Sequence, residues 1–414
     1  MSLLVVMGSG ETAPAMVKTH REVFSRSGSG PAAMLDTPFG FQSNADELVA
    51  RTRTYFAESV GTPVDVARWR HRDEPVVERE QALSLLAQAR WAFAGPGSPT
   101  YALRQWHDTA VPDALADVVT RGGTLVLGSA AAVTLGSHAV PVYEIYKVGE
   151  DPRWVDGLDL LGRLTGIRAA VIPHYDNAEG GSHDTRFCYL GEQRLSALEA
   201  ELPGDVGVLG VDEHTALVLD LDAGTATVSG SGVVTARRRG SSRTIAAGEQ
   251  ISLGDLAAML RGETLAATPV AAQAVSTAAP EAGQPSLTRD SDLAAEAFDR
   301  ALAARDVDGC IKAVLDLEQA VHDWSADTLQ GAATSSARRT LRSMLVRLGE
   351  LAEVGARDPR DLLGPYIHLL LRVRDSARAA KDFGTADTVR DGLTAAGVEV
   401  RDSPAGTEWL LSPH

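Results

Sequence analysis

A serine, a histidine and a glutamate, each just downstream of an apolar run, are the residues of this chain best placed for chemistry. Ser129 ends the run Thr124-Leu-Val-Leu-Gly128 and is followed by the small residues Ala130 to Ala132. A strand, a tight turn with serine at its apex and then a helix make the layout of a nucleophile elbow. Small residues let the backbone turn sharply, and the N–H groups at the helix start can hold an oxyanion. Glycines on both sides of the serine would complete that pattern, but Ala131 stands where the downstream glycine is usual. A serine nucleophile needs a base, and the base needs an orienting group. His174 follows the apolar run Ala169 to Ile172, within Pro173-His-Tyr-Asp-Asn-Ala178, and can serve as base. Glu213 follows the run Val206 to Val211 and can orient the imidazole. His183 and His214 are rival bases or, with Asp184, rival metal ligands. No recognised zinc spacing joins them, so no metal site is expected.

The elements needed to position these residues alternate in type. Strands are expected at Leu3–Met7, Ala32–Asp36, Val64–Ala67, Arg90–Ala94, Thr124–Leu127, Ala169–Ile172 and Val206–Val211. Helices are expected at Ala15–Arg26, Asn44–Ser59, Pro75–Gln88, Ala110–Thr120, Leu158–Leu164 and Glu192–Glu199. Such alternation predicts an α/β fold with a mainly parallel sheet flanked by helices, its ligands at the carboxyl ends of the strands. Ala216–Leu221 and Ala226–Ser229 should form a hairpin, with Val233–Arg237 as a third antiparallel strand. The turn Gly8-Ser-Gly-Glu-Thr12 lacks the lysine of a phosphate loop and reads as a tight strand-to-helix turn.

Composition sets the class. The 414 residues carry a net charge of −16 and 44% apolar residues, an ordinary balance for a folded, water-facing protein. The acidity disfavours non-specific binding to nucleic acid or acidic membranes. Cys188 and Cys310, far apart, form neither a metal spacing nor a disulfide framework, so a reducing cytoplasm is expected. The N-terminal apolar run is short and lacks a basic leader, reading as a strand rather than a signal peptide. No cofactor is expected, and no membrane partner.

The composition changes near residue 262. Residues 263–288, rich in Ala, Pro and Ser, read as a linker between a domain at 1–262 and a separate α-helical domain at 289–414. In the second domain apolar residues recur at helical spacing, Asp382-Phe-Gly384 breaks the pattern, and a small hairpin closes the chain.

Four segments of the first domain resemble the aspartyl dipeptidase (dipeptidase E) and cyanophycinase family of serine peptidases, which have the class I glutamine amidotransferase-like fold. Gly122-Gly-Thr-Leu-Val-Leu-Gly-Ser129-Ala resembles the family's nucleophile turn, and Pro173-His174-Tyr-Asp-Asn-Ala its histidine segment. Gly210-Val-Asp-Glu213-His-Thr-Ala-Leu217 resembles the segment whose glutamate completes a Ser-His-Glu triad. Gly95-Pro-Gly97-Ser-Pro-Thr-Tyr-Ala-Leu103 resembles the loop that supplies an oxyanion amide. The resemblance implies Ser129, His174 and Glu213 as catalytic residues, with Gly97 and Ala130 at the oxyanion hole. It implies a small peptide or isopeptide substrate with an acidic residue at the cleaved bond, and Glu144 at a position where the dipeptidase carries an acidic residue. Arg186 offers a donor fork to a substrate carboxylate, and Asn177 is a further candidate contact. A shifted register would instead place Ala130 at the nucleophile position and make the domain a dead relative.

The tail from Arg372 through Lys381-Asp-Phe-Gly to Trp409 resembles the C-terminal helical region of cysteinyl-tRNA synthetase. No His-Ile-Gly-His or Lys-Met-Ser-Lys-Ser occurs, so synthetase activity is not expected. From Arg289 on there are 16 Lys+Arg against 21 Asp+Glu, where a tRNA-binding module is usually basic. Arg338, Arg339, Arg342 and Arg347 can still form one basic helical face. The tail therefore reads either as a tRNA-binding module or as a docking module for a protein partner or a second copy of the chain. The alternative to a peptidase-like hydrolase is a non-catalytic protein that binds tRNA or a partner, or a hydrolase of aminoacyl groups linked to tRNA.

Overall fold

Short runs of Leu, Val and Ala with no polar alternation can be satisfied only by strands covered on both faces. Four of them are β1 (Leu3–Met7), β2 (Ala32–Leu35), β4 (Trp91–Ala94) and β5 (Thr124–Gly128), and the short β3 (Asp65–Ala67) forms the partly exposed edge. In the computed structural model they pair in parallel in the order β1-β5-β4-β2-β3. The structure describes residues 1–178, 183–263, 286–326, 331–356, 359–403 and 406–411. Most of the expected linker, 264–285, lies outside them. The crossovers carry α1 (Val17–Ser27), α2 (Ala45–Thr54, prolonged by a π-helical turn to Val60), α3 (Val76–Gln88), α4 (Pro99–Trp106) and α5 (Val111–Thr120). Every residue of β1, β4 and β5 is buried.

After α6 (Ser129–Val133) come the short pair β6 (His138–Ala139) and β7 (Val155–Asp156), α7 (Leu160–Thr165), β8 (Ala169–Ile172), α8 (Gly191–Glu201) and β9 (Gly207–Val211). The hairpin of β10 (Thr215–Asp220) and β11 (Thr225–Gly230) docks antiparallel on β1, pairing Val6 with Leu217. Next are β12 (Val233–Arg238), β13 (Ser241–Ala246), β14 (Gln250–Ser252), which edges the main sheet beside β11, and α9 (Leu253–Arg261).

Two expectations need correction. The strand at 233–237 does not extend the hairpin, and β8 and β9 do not join the main sheet. Together with β13 they build a second, four-stranded sheet, β13-β12-β9-β8. The cause is local. Asp212, at the end of β9, accepts the Val233 N–H on its carboxylate at 2.8 Å, while its own N–H reaches the Val233 carbonyl at 3.2 Å. That reciprocal clasp commits β12 to β9. Neither β13 nor α9 was anticipated.

One core residue carries a pH signature. His20 is fully buried among Tyr55, Phe56, Trp91 and Phe93, and its Nε2 lies 2.7 Å from the Glu11 carbonyl. Burial pushes its pKa down to about 4. The unfolded chain binds this proton below about pH 6.5 and the native state does not. The stability contribution is therefore complete above that value and lost as pH falls towards 4. By pH 5 the loss is about 2 kcal/mol. Urea midpoints at pH 7.5 and 5.0 should diverge by this amount between the wild type and His20→Phe. Equal acid sensitivity of the two proteins would refute the assignment.

The chain divides into two units, Met1–Ala294 with Leu315–Thr340, and Ala295–Val314 with Leu341–His414. The helices beyond the linker are α10 (Leu287–Ala303), α11 (Val307–Asp323), α12 (Gly331–Ala356), α13 (Pro359–Ala379) and α14 (Phe383–Ala395), followed by the hairpin β15 (Val398–Ser403) and β16 (Gly406–Leu411). In the second unit Ile367 and Leu371 of α13 bury against Leu393 and Val398, with Trp409 and Leu411 packed on them. Arg374 forks onto both carboxylate oxygens of Asp402 at 2.9 and 2.6 Å, which holds that carboxyl well below the usual range. The break at Asp382 is a helix cap, its carboxylate accepting the Thr385 N–H at 3.1 Å. Among the described residues no helix is long and apolar enough to cross a membrane.

Candidate active site

Gly128, extended at φ −117°, hands the chain from β5 to α6, and Ser129 takes φ +48°. A non-glycine residue there is strained by on the order of 1–2 kcal/mol and stays only where its surroundings hold it. It is therefore Ser129, rather than Ala130, that stands at the apex. Its Oγ lies 2.9 Å from His174 Nε2. His174 leaves the end of β8 at φ +50°, and its Nδ1 lies 3.1 Å from Glu213 Oε1. Serine and imidazole are 8% and 5% exposed, dry enough for both bonds to matter.

The loops that carry these groups are tied to one another. The Glu213 N–H donates to Asp176 Oδ1 at 2.7 Å, and the Asn177 amide donates to Glu213 Oε1 at 3.0 Å. From the end of β1, the Gly8 carbonyl accepts the His174 N–H at 3.3 Å and the Ser9 carbonyl accepts the His214 N–H at 3.1 Å. Only glycine fits at position 8, because a Cβ there would lie 1.9 Å from the Asp212 carbonyl oxygen. The glycine-rich turn thus clamps the histidine and glutamate loops. Burial of Glu213 opposes its charge, but the hydrogen bonds from His174 and Asn177 prevail and hold its pKa below the ordinary carboxylate value.

Two backbone N–H groups follow the serine in α6. That of Ala130 lies in the first turn of α6, where the helix supplies no acceptor. The next, that of Ala131, is taken by the Gly95 carbonyl at 3.2 Å, which ties the Gly95–Pro99 loop to the elbow. Gly97 sits at φ +139°, where a Cβ would lie 2.0 Å from the Pro38 carbonyl. Ala130 and Gly97 both line a cavity of about 940 Å³ together with Ser129 and His174. Cys188 also lines it, but burial pushes its thiol up to about 12, so it is no nucleophile at neutral pH. Phe187, Cys188 and Tyr189 occupy the left-handed region in succession, at φ 62°, 56° and 64°. The His174 carbonyl accepts the Cys188 N–H at 3.1 Å, which anchors this strained turn at the site.

The three residues expected to contact substrate are placed otherwise. Asn177 is 1% exposed and engaged with Glu213, so it positions the triad-like carboxylate instead of facing the cavity. Glu144 accepts the Thr100 hydroxyl at 3.0 Å and does not line the cavity, although its neighbours Tyr143 and Lys147 do. Arg186 forks onto Asp184 at 2.9 Å, with its guanidinium 4.9 Å from the Phe187 ring, and is likewise absent from the lining. Of the rival bases, His183 is exposed and His214 packs edge-on against Trp324 at 5.8 Å. Sequence reasoning missed Arg51, Tyr146, Tyr189 and Arg338 in the cavity wall.

Two separate likenesses to known proteins divide the chain. The structure of a peptidase from an acI-B1 Actinobacterium superposes with a TM-score of 0.50 at 21% identity, covering 61% of this chain and 97% of that one. At that identity the match establishes the fold, a large mixed sheet flanked by helices. Residues 360–409 match the cysteinyl-tRNA ligase anticodon binding domain. The cysteine–tRNA ligase of Cutibacterium acnes is 43% identical over 65 residues, which are 15% of this chain and 13% of the ligase. That of Porphyromonas gingivalis is 36% identical over 109 residues, 25% of this chain and 22% of the ligase. The chain thus spans less than a quarter of the length of these ligases.

Proposed function

We propose that this chain is a serine hydrolase of the peptidase type, acting through Ser129, His174 and Glu213. The observation that carries the reading is the continuous relay from Ser129 Oγ to His174 Nε2, and from Nδ1 to Glu213. As His174 Nε2 takes its proton, Ser129 Oγ attacks the substrate carbonyl. The oxyanion formed is held by the N–H groups of Ala130 and Gly97. Collapse expels the amine, which takes the proton from His174, and leaves an acyl ester on Ser129. Water, deprotonated by the same imidazole, then releases the acid and restores the serine. Glu213 keeps the Nδ1 proton in place and balances the imidazolium. The substrate class is a small peptide, isopeptide or related acyl bond, processed without a cofactor, in the cytoplasm. The catalytic part is residues 1–262. An alkyl fluorophosphonate tests this directly, because it should leave one adduct, on the peptide containing Ser129. No adduct, or one on another serine, would overturn the reading.

A second role concerns residues 360–409, whose match to an anticodon-binding domain favours a tRNA contact. Filter binding with bulk tRNA should then weaken steeply between 50 and about 200 mM salt, as phosphate contacts release counterions. Binding that is absent, or indifferent to salt, would leave the segment as a protein-docking module.

A further inference from the structure

The cavity around Ser129 has a wall that the peptidase-like fold does not supply. Val321, Ser325, Thr334, Ser335 and Arg338 all line it. They belong to Leu315–Thr340, the stretch that groups with the N-terminal unit although it lies beyond the linker. The stretch is pinned at Trp324. That indole is 2% exposed, donates to Asp290 Oδ2 at 3.0 Å and packs edge-on against His214, the residue next to Glu213. Along α12, Thr334, Ser335 and Arg338 stand at helical spacing on one face, with the buried Ala337 beside them.

The charge of this cavity runs against that of the protein. In a chain of net charge −16, its described lining contains Arg51, Lys147 and Arg338 and no aspartate or glutamate. Two of these cations are engaged, Arg51 with Glu47 at 2.5 Å and Lys147 over the Tyr143 ring at 5.1 Å. Among the described residues none forms an ion pair or hydrogen bond with Arg338. An exposed arginine in the wall of a cavity of this size can offer a donor fork to a planar or tetrahedral oxyacid. A volume of about 940 Å³ suits a small molecule rather than a folded partner.

We propose that Arg338, carried to the cavity by the segment Leu315–Thr340, binds an anionic oxyacid group, carboxylate or phosphate, on a small acyl substrate of Ser129. This deepens the hydrolase reading and rests on it for the word substrate, while the anion site itself can be tested without turnover. Calorimetric titration of the full chain with N-acetylaspartate, N-acetylphosphoserine and the neutral N-acetylasparagine separates the cases. At least one anion should bind tenfold or more tighter than the asparagine compound, and which one does so identifies the oxyacid. Arg338→Gln should reduce that ratio to near one, and Arg338→Lys should restore part of it, since charge survives but the fork does not. No anion preference in the wild type, or a preference intact in Arg338→Gln, overturns the proposal. Fluorophosphonate labelling of the same preparation keeps the two readings apart. An adduct without anion preference removes Arg338 alone, whereas anion preference without an adduct removes the hydrolase and leaves an anion-binding cavity.

Discussion

Ser129→Ala should abolish the fluorophosphonate adduct and lower kcat on an activated aryl ester by on the order of 10⁴-fold or more. The size follows from the division of labour in the relay. Without the hydroxyl no acyl-enzyme forms, and His174 and Glu213 have no proton to move, so the remaining oxyanion donors and binding contacts act on water alone. A second substitution separates chemistry from strain. Ser129 holds φ +48°, which alanine tolerates no better than serine and glycine adopts freely. Ser129→Gly should therefore be as inactive as Ser129→Ala but more stable, by roughly 1 kcal/mol in urea unfolding. Such a pair would show backbone strain held at the nucleophile for function. Esterase activity within tenfold of wild type in Ser129→Ala would end the serine mechanism.

What could be read from the sequence divides along physical lines. The parallel strands and the three loops that converge on Ser129 are local patterns, because a buried strand advertises itself by an unbroken apolar run and the residues proposed to react sit at its end. The membership of β8, β9 and β12 in a second sheet is not local. It depends on the clasp between Asp212 and Val233, which no periodicity reveals. Arg186 is engaged for an opposite reason, since Asp184, two residues away, accepts from its guanidinium. The amide of Asn177 turns inward to Glu213, a long-range contact that the loop sequence does not announce. Arg338 could not be linked to Ser129 at all. Their association depends on how a helix beyond the linker packs, and Trp324, the residue that anchors it, reads in sequence as one more helical apolar.

Glu213 offers the second large effect, and two substitutions dissect it. The carboxylate stays charged through the neutral range, because the hydrogen bonds from His174 and Asn177 outweigh the cost of its burial. Its Oε1 accepts from both partners. Glutamine keeps the shape but loses the charge, and its amide N–H can donate to Nδ1 and fix the wrong imidazole tautomer, so Glu213→Gln should lower kcat by on the order of 10⁴-fold. Alanine removes the acceptor as well. The imidazole is then free to carry its proton on Nε2, where it faces Ser129 as a donor and cannot act as base. The amide of Asn177 loses the same partner and no longer braces the loop. Loss of an orienting carboxylate elsewhere costs on the order of 10⁴-fold, and Glu213→Ala should approach that figure. The sign with pH follows from the lowered pKa. The interaction is complete above the ordinary carboxylate value of about 4.5 and fades only as pH falls through the lower native one. Glu213→Ala should therefore be impaired at both pH 6 and pH 8, because the carboxylate it removes is charged at both. If both variants kept activity within tenfold of wild type, the imidazole would be oriented by something other than Glu213, and the triad would reduce to a Ser-His pair.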